Sequence, residues 1–132
     1  MAFLTPDNVR YENGVKICEK IIPDSAVWNK NYTEGGYTYL RGTQYKANRA
    51  LTAMRGVTIH NTGRIKVPSG TTMAEQYTRA TYPNCNMGSV RVHYYVDENE
   101  AWQNLDEGEV GWHAADGNYG PGNSTTIAIE II

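Results

Sequence analysis

Apolar and polar residues alternate one by one from Val90 to Val96. Val90, Val92, Tyr94 and Val96 fall on one side, and Arg91, His93 and Tyr95 on the other. A period of two marks a half-buried β-strand. The acidic DENE that follows turns the chain and AWQNL returns as the partner strand, so the pattern predicts a hairpin. Gly56–His60 is a β-branched run suited to a buried strand. At the end of the chain Ile127, Ile129 and Ile131 line one strand face while Thr126, Ala128 and Glu130 line the other. Between these runs the period changes. Thr72-Met-Ala-Glu75 fits a capping box, Met73, Tyr77 and Ala80 follow as one helical stripe, and Pro83 stops the helix.

The segments NTGRIKVPSG and WHAADGNYGPGNST are rich in turn formers and read as loops. Ahead of residue 55 the pattern weakens. VKICEKII alternates in part and predicts an extended edge segment ending at Pro23. The polar, tyrosine-rich stretch from Asn29 to Ala50 is interrupted by glycines and reads as an ordered loop or a hairpin, with a short helix near Tyr45–Met54.

Composition narrows the class. The 132 residues, 40% hydrophobic and 20% charged, suit one globular domain with a modest core. A net charge of −2 without a Lys/Arg cluster argues against a nucleic-acid partner held by phosphate contacts. No apolar run approaches the ~20 residues of a membrane span. The opening MAFLTPDNVRYENG lacks a basic region followed by an apolar one, so the expectation is synthesis in a cytoplasm without a signal peptide and, for any outside action, release by other means. Cys18 and Cys85 form no CxxC pattern, and two reduced thiols fit that origin. Ten tyrosines and three tryptophans against one phenylalanine supply rings with apolar bodies and polar tips, suited to a half-wet groove as well as to ordinary packing.

Two residues stand out chemically. His60 shares a strand face with Thr58, and Glu130 shares one with Thr126 and Ala128. If the two strands are parallel neighbours, both side chains emerge near one end of the sheet, where open α/β sheets bind ligands. A carboxylate among Ile129, Ile131 and Ile132 must face solvent, find a partner, or hold a raised pKa for proton transfer. His93, mid-strand, reads as a hydrogen-bonded sheet histidine. His113 follows Trp112 in a glycine-rich loop and either contacts a ligand or bonds the backbone.

VTIHNTG, then VHYYVDENEAWQNL, then GWHAADGNYGPGNSTTIAIEI, in this order and spacing, closely resemble the type-2 N-acetylmuramoyl-L-alanine amidases, a family of zinc-dependent endolysins of phage and prophage related to peptidoglycan recognition proteins. The resemblance runs from about Val57 to Ile131. It implies a mixed central sheet flanked by helices, an α/β (α+β) fold. It also implies a single domain over 1–132, with 1–55 as lead-in and insertion and 56–132 as core. His60 matches the first zinc (Zn2+) ligand and Glu130 the catalytic glutamate. Asn61, Trp112, His113 and Asn123 fall in the substrate cleft. Some members carry a catalytic tyrosine immediately before the histidine that His93 matches. Here that position is Val92, which leaves Glu130 to move the proton. The implied reaction is hydrolysis of the amide between N-acetylmuramic acid and L-alanine in bacterial peptidoglycan, at the cell wall. The chain stops two residues after Glu130, and the family's other two zinc ligands and a covering helix lie further on. They are therefore expected from a C-terminal fragment or second chain. A peptidoglycan-binding module without catalysis is the alternative.

Overall fold

Asn13 and Gly14 both take positive φ, 49° and 82°, the backbone that a tight two-residue hairpin turn requires. They join strands β1 (Asn8–Glu12) and β2 (Val15–Glu19) at one side of a six-stranded sheet. The structure is a computed structural model and describes residues 4–63, 70–83 and 88–132. Cys85 and most of the loop after Gly63 lie outside the described residues. Further strands are β3 (Tyr32–Glu34), β4 (Tyr37–Tyr39), β5 (Gly56–Asn61), β6 (Tyr94–Val96), β7 (Ala101–Gln103) and β8 (Thr126–Ile131), with helices α1 (Met73–Thr81) and α2 (Pro121–Thr125). The large sheet runs β1-β2-β7-β6-β8-β5. It is mixed: β2 with β7, β6 with β8 and β5 with β8 are parallel, and the other two pairs are antiparallel. β2 is thus interior and not the edge segment its sequence predicts, because β1, unread in the sequence, pairs on its outer side.

Helix α1 packs on one face. Ala74 and Thr78, both fully buried, bring it close to a core of Cys18, Val92, Tyr95, Trp102 and Ala128. The predicted stripe of Met73, Tyr77 and Ala80 is therefore off-centre, with Tyr77 at the margin against Tyr95. Thr72 caps the helix as expected and its hydroxyl accepts from Glu75 N at 3.2 Å. The reciprocal half of the capping box is missing, since the Glu75 carboxylate instead accepts from Leu4 N and the Thr71 hydroxyl. Thr72 also donates to Glu100, as Trp102 Nε1 does, at 2.7 and 2.8 Å. Burial pushes the Glu100 carboxyl up, but bonds from Trp102, Thr72 and Lys16 outweigh it and hold the pKa below its usual range. Asp97 spans two elements: one oxygen accepts from Asn99 N and Glu100 N in the β6–β7 turn, and the other from Ala74 N at the start of α1.

The predicted strand from Val90 is shorter than its alternation. Only Tyr94–Val96 is strand, and Val92 packs in the same core as Tyr95 and not with Tyr94. The slip occurs at His93. Its backbone N donates to Ala128 O, and its ring Nδ1, rather than a backbone carbonyl, accepts from Ala128 N. No helix forms over Tyr45–Met54. Asn48 takes a left-handed φ of 54°, Leu51 N donates to Gly108 O, and Lys46 is drawn into the interior between Asp24 and Glu109, each at 2.9 Å. The predicted hairpin alternative holds for β3–β4. Trp28 anchors it by stacking on Tyr32 at 5.2 Å and meeting Tyr39 and Tyr45. On the sheet face away from α1, Ile17, Tyr94 and Ala101 are buried while Val57 and Ile59 stay 54% and 55% exposed. No helix among the described residues covers that face.

Candidate functional site

His60 and Glu130 occupy paired positions on parallel neighbours β5 and β8. Register partners in a sheet project from the same face, so both side chains share the face on which α1 packs, beyond the helix. Both are half-buried. Burial raises the Glu130 pKa, opposed in part by the His60 charge. No hydrogen-bond donor among the described residues engages the Glu130 carboxylate.

His113 arrives from the loop before α2. The Asn123 side chain holds it there: Oδ1 accepts from His113 N and Ala114 N, both at 2.8 Å, and Nδ2 donates to Gly117 O. Asp116 accepts from Gly122 N and Asn123 N and closes the same loop. Gly111 is required where the loop leaves the core, because a Cβ there would sit 2.5 Å from Arg91 O. The His113 ring meets His60 edge-on, with His60 Nε2 and His113 Nδ1 3.2 Å apart.

The protons in this chain can be traced. Thr126 Oγ1 donates to Gly122 O at 2.7 Å, so it accepts from its other neighbours, Thr58 Oγ1 at 2.7 Å and, at a long 3.5 Å, His113 Nε2. The His113 proton then sits on Nε2 and its bare Nδ1 faces His60. Burial, followed by the charges of His60 and His93, lowers the His113 pKa to about 4. His113 is therefore neutral at pH 7. His93 stands behind it, fully buried. Its Nε2 donates to Glu109 O at 2.8 Å while Nδ1 accepts from Ala128 N, so both ring nitrogens are committed to the backbone. Burial lowers its pKa too.

The six residues singled out in the sequence separate into groups. His60 meets His113, and Glu130 lies beside His60 on the neighbouring strand. Asn123 is buried and spends its amide on the loop that carries His113. Trp112 lines an adjoining groove of about 980 Å³, and its indole N–H finds no acceptor among the described residues. Asn61, one residue past His60, points to the opposite face, exposed, with Oδ1 accepting from Gly63 N. Sequence reasoning missed the far wall of the groove, which is the β3–β4 hairpin through Tyr37, Tyr39 and Leu40. Its tyrosine richness was the available signal. Among the described residues no three His, Cys, Asp or Glu side chains are grouped to hold a metal ion, and no helix is long and apolar enough to cross a membrane. Cys18 is a free, buried thiol.

Residues 44–132 match the family model of the N-acetylmuramoyl-L-alanine amidases. The amidase XlyA of Bacillus subtilis is 36% identical over 90 residues, which are 68% of this chain and 28% of XlyA. Among solved structures, a mutant endolysin from Bacillus subtilis has a TM-score of 0.60 at 31% identity, covering 89% of this chain and 60% of that one. The catalytic domain of XlyA gives 0.59 at 32%, covering 88% and 60%. The chain thus spans little more than a quarter of this curated relative.

Proposed function

The chain belongs to the N-acetylmuramoyl-L-alanine amidase family, and from that premise we propose that it forms the first part of a zinc-dependent unit that hydrolyses the bond between N-acetylmuramic acid and L-alanine in peptidoglycan. The observation that carries this reading is that His60 meets His113 from a separate loop and pairs in register with Glu130 on the neighbouring strand. In a tetrahedral zinc site with Zn–N bonds of about 2.0–2.1 Å, two nitrogen donors lie roughly 3.3 Å apart. The 3.2 Å between His60 and His113 fits that spacing. His60 would hold the ion with His113 as the neighbouring nitrogen donor, and polypeptide beyond these residues, as a C-terminal segment or a second chain, would complete its shell. Zinc, when bound, acts as a Lewis acid on the scissile carbonyl and makes water acidic enough to attack at neutral pH.

The protein's own groups do the rest. Glu130 carries a raised pKa and a carboxylate that no donor among the described residues engages, which suits it to take a proton from the attacking water and return it to the departing amine. The C–N bond breaks, leaving a lactyl carboxylate and the free amine of L-alanine. Asn123 positions His113, Trp112 lines the cleft, and Asn61 holds the end of β5. The first 55 residues serve as lead-in and insertion around the core. The site of action is the bacterial cell wall.

The test is release of L-alanine amines from purified cell walls, with zinc and a C-terminal complementing segment supplied. Glu130→Gln is expected to lower the rate by about 10²–10⁴-fold while leaving zinc content unchanged. Undiminished activity in this variant, or neither zinc nor release in the reconstituted protein, would remove the proposal. A non-catalytic peptidoglycan-binding module is the second reading. The lack of a three-ligand group among the described residues favours it, and cell-wall binding without amine release in the reconstituted protein would establish it.

A further inference from the structure

The groove beside His113 has a wall that the family match does not account for. Hairpin β3–β4 (residues 32–39) lies ahead of the matched residues 44–132, yet Tyr37, Tyr39 and Leu40 face the groove opposite Trp112 and Val90. The hairpin is firmly seated. Trp28 stacks on Tyr32 from below, and on the other side Ser89 N and Oγ donate to Glu34 Oε2 at 3.1 and 2.6 Å while Gly88 N donates to the Tyr32 hydroxyl. Rings held this way need no ordering when a ligand arrives. Despite the anchoring, Tyr37 remains 63% and Leu40 55% exposed. A well-held aromatic and aliphatic surface left bare at the rim of a concave site marks binding rather than packing.

The lining also selects among ligands. Among the described residues it contains no Asp, Glu, Lys or Arg, and apart from the tyrosine hydroxyls its one titratable group is His113, neutral at pH 7. A stem peptide carries free carboxylates and amines, which lose hydration in such a groove without gaining an opposite charge. A glycan strand of N-acetylated sugars is uncharged where its lactyl groups are in amide linkage. Its C–H faces match tyrosine and tryptophan rings, and its hydroxyl and acetamido groups match Gln44, Thr43 and Asn118 along the same lining.

We propose that the β3–β4 hairpin and the Trp112 loop form a saccharide subsite that holds the glycan strand of peptidoglycan, with Tyr37 as its stacking platform, and present the attached amide to His60, His113 and Glu130. This rests on the amidase reading for the identity of the polymer, but the binding does not depend on zinc or catalysis. The experiment is therefore calorimetric titration of the zinc-free chain with two probes, uncharged N-acetylglucosamine oligomers as the glycan and free stem peptide. Glycan is expected to bind and stem peptide neither to bind nor to compete. Tyr37→Ala should weaken glycan binding roughly five- to tenfold, and Tyr37→Phe, which keeps the ring, should bind as the parent does. Thermal melting checks that the Ala variant is folded, which its exposure favours. Binding of stem peptide in place of glycan, or glycan affinity unchanged in Tyr37→Ala, overturns the proposal. Failure of the amidase reading shows instead as absent amine release with glycan binding intact.

Discussion

His93 is a residue whose ring substitutes for peptide. With Nδ1 accepting from Ala128 N and Nε2 donating to Glu109 O, the imidazole is neutral and buried, facing Glu109 and Glu107 on one side and His113 on another. Its folded pKa lies below the unfolded value of about 6.5. The unfolded chain therefore takes up a proton first as pH falls, so the stability His93 contributes is full above about pH 6.5 and is lost as pH drops through its depressed folded value. Urea unfolding of the zinc-free chain should show a lower midpoint at about pH 5.5 than at about pH 7.5. His93→Gln should be less stable at the higher pH by about 1–3 kcal/mol and should lose part of the pH slope, the remainder belonging to His113. An unchanged slope in the variant would contradict this account. At this scale the sequence was partly legible. Strand alternation alone put His60 opposite Val57 and Ile59, and Glu130 opposite Ile127, Ile129 and Ile131, and the parallel pairing of β5 with β8 brings the two to one face. The approach of His113 to His60 was not readable, because it depends on Asn123 and Asp116 folding a loop back on itself.

Among the elements, α1 was the most legible, since its cap, its stop at Pro83 and its extent are all local signals. The centre of its buried face was not, because small Ala74 and Thr78, not the larger side chains, decide how closely the helix meets the sheet. Thr72 carries two loads here, accepting from Glu75 N and donating to Glu100. Thr72→Ala should lower stability by about 1–2 kcal/mol, and Thr72→Ser should recover most of it, measured by denaturant unfolding. Equal stability of the Ala and parent proteins would show that neither bond matters. The β1–β2 hairpin shows the opposite case. Its Asn13-Gly14 turn was written in the sequence, but β1 is largely exposed and polar, so alternation gave a sign of β2 alone.

Across the whole molecule, the lead-in is fastened to the core through a buried cation. Lys46, 1% exposed, bridges Asp24 and Glu109, and although burial works against its charge, bonds from Glu109 and Asp24 raise its pKa. Asp24 is largely exposed, which weakens its share. Lys46→Met should cost about 2 kcal/mol, chiefly by leaving Glu109 uncompensated, and should speed proteolysis within residues 24–46. Unaltered melting and cleavage would show the lead-in is held by the Trp28 cluster alone. Such long-range fastening was invisible in the sequence, where Lys46 reads as one more polar residue in a short helix. The six-strand order was equally hidden, since β2 and β7 pair across more than half the chain.

Asp97 has a consequence of its own. One carboxylate supplies acceptors to the tip of a hairpin and to the first turn of a helix, so neither end can fray without releasing the other. The corner breathes as one body. When it opens, Tyr95 loses its cover, and Tyr95 is the neighbour of Glu130 across the sheet. The partial burial that raises the Glu130 pKa thus depends on a bond made at the start of α1.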